Sequence, residues 1–235
     1  GKNSLTENTT GSQNVALGSR AVENNTTAGN NVGIGYSAVR ETTTGANNVG
    51  VGTDALKLNT TASNNTAVGY VALAVNTTGT NLVAVGANAL DTNTTGNGNV
   101  AIGVSALQAN TTASHNIAIG QGAMFFNTSG TRNTAVGANG TLTSNTSGND
   151  NVAVGYVALA ANTTGSNNTA VGKAALDANT TGSTNTCIGV TALGANTTGA
   201  DNVAVGGSSL GSNTTADDNT AVGTSALFQN LTGAN

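Results

Sequence analysis

Apolar residues recur along this chain at two fixed places in a 17-residue repeat, and glycine, asparagine and threonine fill most of the rest. Twelve of the thirteen intervals between the repeat glycines are 17 residues long, and one, from Gly137 to Gly155, is 18. A strict period of this kind predicts stacked copies of one structural unit, each in contact with its neighbours. The repeat glycines are Gly1, Gly18, Gly35, Gly52, Gly69, Gly86, Gly103, Gly120, Gly137, Gly155, Gly172, Gly189, Gly206 and Gly223.

The first apolar segment of each repeat alternates large and small residues. With the glycine as position 0, the repeat reads G-x-x-A-L-x-x-N-T-T-G-x-x-N-[VT]-A-V. Position 16 is aliphatic, position 14 is Val, Ile or Thr, and position 15 is small. Alternation in a strand places positions 14 and 16 on one face. The pattern predicts a short strand whose larger side chains face inward.

The second apolar segment is an alanine at position 3 followed by a larger residue at position 4, from Leu5 to Leu227. We expect a second short strand here, with these two residues on opposite faces. Two anchors in 17 residues give no stripe of helical period, so helix is excluded. The sequence predicts an all-β fold, a parallel β-solenoid (β-roll) of about 14 coils with one 17-residue repeat per coil. It should be a single continuous array over residues 1–235.

Stacking the repeats turns single positions into ladders. Asparagine recurs at position 7, except at Thr42, and at position 13, except at Leu82. At roughly 4.8 Å per coil, each amide can bond the amides above and below, and fourteen coils would form a rod of roughly 65 Å. The position-0 glycine needs either a positive φ or room that a Cβ would fill. Position 10 is Ala in some repeats, so a positive φ is not required there.

Composition and charge narrow the class of protein. Only 7% of the residues are charged, and the net charge of −4 is spread thinly, which predicts neither a nucleic-acid surface nor a basic membrane patch. No apolar run is long enough to span a membrane. The single cysteine, Cys187, stands at position 15 and is interpreted as a small buried residue; a thiol that joins two chains is the alternative.

Candidate catalytic and metal-binding residues are scattered over variable positions. His115 occupies position 12, and Asp217–Asp218 is the sole acidic pair, which fits a solvated turn better than a metal site. Tyr36, Tyr70 and Tyr156 share position 1, either as a ligand-facing stripe or packed over a turn. With no nucleophile beside a base and no set of metal ligands, we predict a protein that is not an enzyme and uses no cofactor or metal.

Asn-x-Thr/Ser sequons recur at position 7. They have two interpretations: glycan acceptors that coat one edge of the rod, or turn-forming residues of an asparagine ladder, which the regular spacing favours. The possible acceptors are Asn8, Asn25, Asn59, Asn76, Asn93, Asn110, Asn127, Asn145, Asn162, Asn179, Asn196, Asn213 and Asn230.

The alanines of positions 3 and 15 predict assembly. If they face outward, their stripes would be exposed on an isolated chain, which is unusual for a soluble monomer. We therefore expect tight lateral packing against copies of the chain, unless the alanines pack against each other within a coil. The sequence stops at position 12 of its last repeat and carries no capping segment, which predicts a segment of a longer fibre or rods joined head to tail.

The segments Asn168–Gly172 and Ala175–Gly182, with their copies, resemble the repeats of trimeric autotransporter adhesin heads and stalks, and resemble more closely the 17-residue repeats of phage tail-fibre proteins. The resemblance covers the whole chain. It implies a left-handed, trimeric β-roll that projects from a cell or virion and contacts a surface.

The function hypotheses follow from the repeats and this resemblance. The first is a structural extracellular fibre or adhesin-like stalk, with a phage tail-fibre segment as the alternative. Its partners would be copies of itself, as a lateral trimer or head-to-tail filament, and a cell-surface or polysaccharide target; neither nucleic acid nor membrane insertion is expected. Location would be extracellular, on a cell surface or virion. A second class is a module whose Thr row (Thr9, Thr26, Thr43, Thr60) binds ice or a crystalline polysaccharide.

Overall fold

Each repeat contributes one three-residue strand, at positions 14 to 16, and the rest of the coil is turns and bends. The computed structural model describes residues 1–231 and 233, none of which is helical. The chain forms two units, residues 1–115 and 116–235. The strands of unit 1 are β1 (Val15–Leu17), β2 (Val32–Ile34), β3 (Val49–Val51), β4 (Thr66–Val68), β5 (Val83–Val85) and β6 (Val100–Ile102). Those of unit 2 are β7 (Ile117–Ile119), β8 (Thr134–Val136), β9 (Val152–Val154), β10 (Thr169–Val171), β11 (Thr186–Ile188), β12 (Val203–Val205) and β13 (Thr220–Val222).

Within each unit, consecutive strands pair in parallel and in register. Val15 of β1 lies opposite Val32 of β2, and Thr169 of β10 lies opposite Thr186 of β11, so equivalent positions of successive repeats stack directly. This register confirms the predicted parallel β-solenoid with one repeat per coil. The prediction of a single continuous array remains a prediction.

The predicted orientation of the strands is wrong. The small residue at position 15 is buried, as at Ala84 and Ala170, whereas the larger residues at positions 14 and 16 are half-buried or exposed. The interior of a 17-residue coil is narrow because Leu at position 4 and Asn at positions 7 and 13 already fill it. Alanine is the side chain that fits opposite them, so the β-branched side chains turn outward.

The predicted second strand does not form. Positions 1 to 6 follow a series of turns in which positions 2 and 4 have positive φ, for example 56° at Asp54 and 52° at Leu56. Ala at position 3 and Leu at position 4 are both fully buried, as at Ala55 and Leu56. Left-handed backbone on both sides of position 3 therefore turns two consecutive side chains inward, which a strand does not do. The stripes of alanine expected on the surface are inside the coil, as in the alternative of intracoil packing.

Both reasons considered for the position-0 glycine apply. Gly172 has a φ of +135°, and a Cβ on it would lie 2.4 Å from the carbonyl oxygen of Gly189 in the next coil. The same close approach recurs at Gly69, with φ +141° and 2.5 Å to the oxygen of Gly86. Position 10 has an equally close approach, 2.3 Å from a Cβ on Gly182 to the oxygen of Gly199, and yet is Ala in four coils, so the positive φ is what requires glycine at position 0.

The extra residue of the 18-residue repeat lies in a turn, as predicted. Residues 137–140 form a bend after β8, a turn follows at 141–144, and Leu142 resumes the buried position 4 with its usual positive φ of 49°. Strands β8 and β9 keep their register, with Thr134 opposite Val152. Thr141 stands where most coils have Ala, and its hydroxyl donates to the carbonyl of Gly155 at 2.8 Å.

Candidate interaction surface

The outward strand face is the main apolar surface of both units. Its two columns, positions 14 and 16, carry Val, Ile, Leu and Thr and contain no charged residue in any of the described strands. Exposure at these positions reaches 44% at Ile188 and 38% at Ile102, away from the first and last strands. We call these two columns the outer strand face. β-branched residues favour the strand conformation, so the residues that form the sheet also make its outer face apolar.

Position 1, beside the position-0 glycine, is aromatic or aliphatic in some coils and polar or charged in others, such as Lys173. Tyr36, Tyr70, Tyr156, Val104 and Val190 all stand at this position and are about half exposed. The tyrosines therefore lie at the surface, and the side chain of Tyr36 hydrogen-bonds with that of Arg20 in the preceding coil.

A column of hydroxyl residues lies at another side of the coil. The residue at position 9 is an exposed Thr or Ser in every described coil, from Thr10 to Thr215. The Thr beside it, at position 8, donates its hydroxyl hydrogen to the carbonyl of the same position in the next coil, as from Thr163 to Thr180 at 3.0 Å. The predicted row (Thr9, Thr26, Thr43, Thr60) is this position-8 column, and its hydroxyls hold coils together. Position 9 is a separate, solvent-facing column beside it.

Asparagine at position 7, which carries the sequons, forms the predicted amide ladder inside the coil. Nδ2 of Asn179 donates to Oδ1 of Asn162 at 2.9 Å, and also to the carbonyl of Gly182 at 2.9 Å in its own coil. Asn25 to Asn213 are fully buried at this position, and only Asn8 and Asn230 are partly exposed. A glycan on Nδ2 would take away a buried donor, so the folded coil favours the ladder interpretation; glycosylation itself remains a prediction.

Asparagine at position 13 connects coils in a second way. Oδ1 of Asn168 accepts the backbone N–H of Asn185 at 3.0 Å, and its Nδ2 donates to the carbonyl of Gly182 at 2.9 Å. The position-10 carbonyl therefore receives one amide from each ladder: Asn179 from its own coil and Asn168 from the preceding one. This shared acceptor joins both ladders into one buried network.

The two exceptions to the ladders both lie in unit 1. Thr42 replaces Asn at position 7 and donates its hydroxyl to the carbonyl of Asn59 at 2.8 Å. It supplies no amide to Oδ1 of Asn25, which is buried without a hydrogen-bond partner. Leu82 replaces Asn at position 13; it is fully buried, and its backbone N–H donates to Oδ1 of Asn65 at 3.0 Å.

One pattern inside the coil escaped the sequence analysis. Glycine replaces the usual residue at position 15 at Gly33 and Gly50, and these are the two coils with Val at position 4, namely Val22 and Val39. A Cβ on Gly50 would lie 2.6 Å from Cγ2 of Val39. The β-branch of Val occupies the space that alanine fills elsewhere. The joint occurrence of the two substitutions was the available sequence signal.

The titratable candidates differ in their exposure. His115 and the pair Asp217–Asp218 are exposed, and Oδ1 of Asp217 accepts the backbone N–H of Ala200. Cys187 is a fully buried free thiol, as interpreted from the sequence, and burial raises its pKa well above the ordinary range. Among the described residues, no group of three or more His, Cys, Asp or Glu side chains is placed to hold a metal ion.

Comparisons with known proteins return no match: no family model, curated protein or solved structure is similar to this chain. Within the described residues, none belongs to a helix of the length and apolarity needed to cross a membrane.

Proposed function

We propose that this chain is a structural segment of an extracellular fibre, on a cell surface or virion, that assembles with copies of itself through the outer strand face. The observation that carries the proposal is the pair of uncharged columns at positions 14 and 16, repeated on every described strand. The alanine stripes first considered for this role are buried. The proposed contact surface is therefore the outer strand face and not the alanine stripes.

The energetics favour an extended contact. Fully burying a Val or Ile side chain contributes about 1.5–3 kcal/mol, and each coil offers two such positions, already partly buried, at a regular spacing of roughly 4.8 Å. One coil adds little, since its side chains are only partly exposed. The contributions of several coils in register add, because the same two columns recur at each step.

The experiment compares two double variants in the same two coils of unit 2. Val171→Lys with Ile188→Lys places charges on the outer strand face, and Thr164→Lys with Thr181→Lys places the same charges on the hydroxyl column. Sedimentation velocity should show an oligomer for the wild type and the control, and a monomer for the outer-face variant. Circular dichroism should show the same β content for all three.

Two results would overturn the proposal: a wild-type chain that stays monomeric at every concentration, or an outer-face variant that still associates. Electron microscopy of the wild type then gives the number of chains across the assembly, which distinguishes a lateral trimer from a filament. A phage tail-fibre segment and an adhesin stalk would both assemble through the outer strand face. A comparison of binding to intact cells with binding to isolated polysaccharide would distinguish these two functions.

A second candidate function uses the hydroxyl column. Position 9 presents an exposed Thr or Ser at every described coil, which favours recognition of a repetitive target such as ice or a crystalline polysaccharide. A thermal-hysteresis measurement tests the ice version. Thr164→Lys with Thr181→Lys should abolish the activity, and a wild type without hysteresis would exclude it.

A further inference from the structure

Two Asn–Gly pairs occur in the chain, Asn97–Gly98 in unit 1 and Asn139–Gly140 in unit 2. Glycine after asparagine leaves the following backbone nitrogen unhindered, so that it can attack the side-chain carbonyl carbon. Both asparagines are exposed and both glycines are half-buried with positive φ, 63° at Gly98 and 106° at Gly140. Sequence and exposure therefore do not distinguish the two pairs, whereas their hydrogen bonds do.

At Asn97–Gly98, both reacting groups are held. Oδ1 of Asn97 accepts the backbone N–H of Thr80 at 2.8 Å and its hydroxyl at 3.1 Å. Nδ2 of Asn97 donates to the carbonyl of Thr95 at 3.1 Å. The attacking nitrogen is held as well, because the N–H of Gly98 donates to the carbonyl of Thr80 at 3.0 Å.

At Asn139–Gly140, the structure holds neither group. The pair lies in the bend that accommodates the extra residue of the 18-residue repeat. The side chain of Asn139 makes no hydrogen bond to a described residue, and the N–H of Gly140 donates to none. Only the neighbouring backbone is tied, through the N–H of Asn139 to the carbonyl of Gln121 at 3.0 Å. The Asn139 amide is free to rotate toward the Gly140 nitrogen.

We infer that Asn139 is a site of spontaneous deamidation in the folded protein and that Asn97 is protected. The Gly140 nitrogen attacks Cγ of Asn139 and forms a C–N bond while the Cγ–Nδ2 bond breaks. Ammonia leaves with the proton that the Gly140 nitrogen loses, and the product is a cyclic succinimide. Solvent water then opens the ring at either carbonyl, giving aspartate or isoaspartate. No electrons are transferred.

The test follows both sites in one sample. Purified full-length chain is incubated at mildly alkaline pH in ¹⁸O-water, digested with trypsin and analysed by mass spectrometry. Cleavage after Lys57, Arg132 and Lys173 places the two pairs in separate peptides, 58–132 and 133–173. Because the four hydrogen bonds at Asn97–Gly98 hold the amide and the attacking nitrogen in place, deamidation should be at least about tenfold faster at Asn139 than at Asn97.

The same incubation in denaturant is the control. Unfolding removes the hydrogen bonds of Asn97, so the two Asn–Gly pairs should then react at similar rates. Asn139→Gln should abolish the label in peptide 133–173 in both conditions. Equal rates in the folded chain, or a faster rate at Asn97, would overturn the inference, as would a rate difference that persists after unfolding.

Discussion

Unit 1 and unit 2 repeat the same coil but depart from it in different ways. Unit 1 contains both ladder exceptions, Thr42 and Leu82, and both coils that combine Val at position 4 with Gly at position 15. Every described ladder position of unit 2 is Asn, and its irregularity is the extra residue beside Gly140. Register between strands is kept in both units. The coil therefore tolerates a substitution in its interior when neighbouring residues accommodate it. It also tolerates an extra residue in a turn.

The largest effect should come from a feature that the units share. Gly69→Ala in unit 1 and Gly172→Ala in unit 2 each place a Cβ within 2.5 Å of a carbonyl oxygen in the next coil. Backbone at positive φ adds strain, so each variant should lower the free energy of unfolding by more than about 4 kcal/mol. Urea denaturation followed by circular dichroism measures it.

Gly182→Ala is the matched control for the effect of φ: a Cβ there would lie 2.3 Å from the carbonyl oxygen of Gly199, as close as at Gly172, but its φ is not positive and position 10 is naturally Ala at Ala28. Gly182→Ala should lower the free energy of unfolding by less than half as much as Gly172→Ala. Equal losses at Gly172 and Gly182 would contradict the role given to the position-0 glycine.

The next largest effect on stability should come from substitutions that exchange ladder residues between the two units. Asn168→Leu gives unit 2 the residue that unit 1 has at Leu82. It leaves the buried N–H of Asn185 without its acceptor, so unfolding free energy should fall by about 2–3 kcal/mol. Leu82→Asn restores the ladder at the expense of buried apolar surface and should change stability by about 1 kcal/mol at most. Similar changes from both substitutions would show that the ladder contributes no more than packing.

A double-mutant cycle tests the compensated coil of unit 1. Gly50→Ala alone places a methyl group against Cγ2 of Val39 and should cost about 1–3 kcal/mol. With Val39→Leu, the branch at Cβ is gone and the coil takes the Leu–Ala pair of unit 2. The two substitutions should couple by about 1 kcal/mol or more. Additive losses in thermal denaturation would exclude the compensation.

A smaller gain should follow from Thr42→Asn. The new amide can donate to Oδ1 of Asn25, which is buried without a partner, while the hydroxyl bond to Asn59 is lost. The net gain should be about 1 kcal/mol. Asn76→Thr, which introduces the same interruption into an intact part of unit 1, should lose stability in the same assay. A gain from Asn76→Thr would contradict this prediction.

The smallest effect concerns one carboxylate in each unit, Asp91 and Asp177 at position 5. Burial raises the pKa of both; Gln108 donates to Oδ2 of Asp91 at 3.2 Å and opposes that shift. A raised folded pKa means that stability is complete below the ordinary carboxyl pKa and declines as pH rises through the raised value.

Asp177→Asn should therefore remove this decline and be more stable than the wild type at neutral pH. Asp91→Asn should gain less, because Gln108 already stabilises the ionised form. Chemical denaturation at acidic and neutral pH measures both, and a gain that is larger at acidic pH would contradict the sign.

The structural features that depend on the 17-residue spacing could be predicted from the sequence. Those that depend on backbone conformation within one repeat could not. The solenoid, the amide ladder and the turn location of the extra residue all follow from spacing. Strand orientation did not, because alternating size does not say which face is inside; the buried Leu and Asn of the same coil decide that. The second strand was predicted wrongly at Leu56 and its equivalents, because these leucines have a positive φ, which leucine rarely adopts.

The shared carbonyl at position 10 makes successive coils interchangeable. Except where Thr42 and Leu82 interrupt the ladders, each coil offers the acceptor that its predecessor needs and receives the donor that its predecessor carries. Removing or duplicating one regular repeat would therefore leave the amides of the neighbouring coils with suitable partners. Recombination between such similar repeats would change the length of the solenoid in steps of roughly 4.8 Å per coil. Evolution can therefore adjust that length while the contacts between coils stay the same.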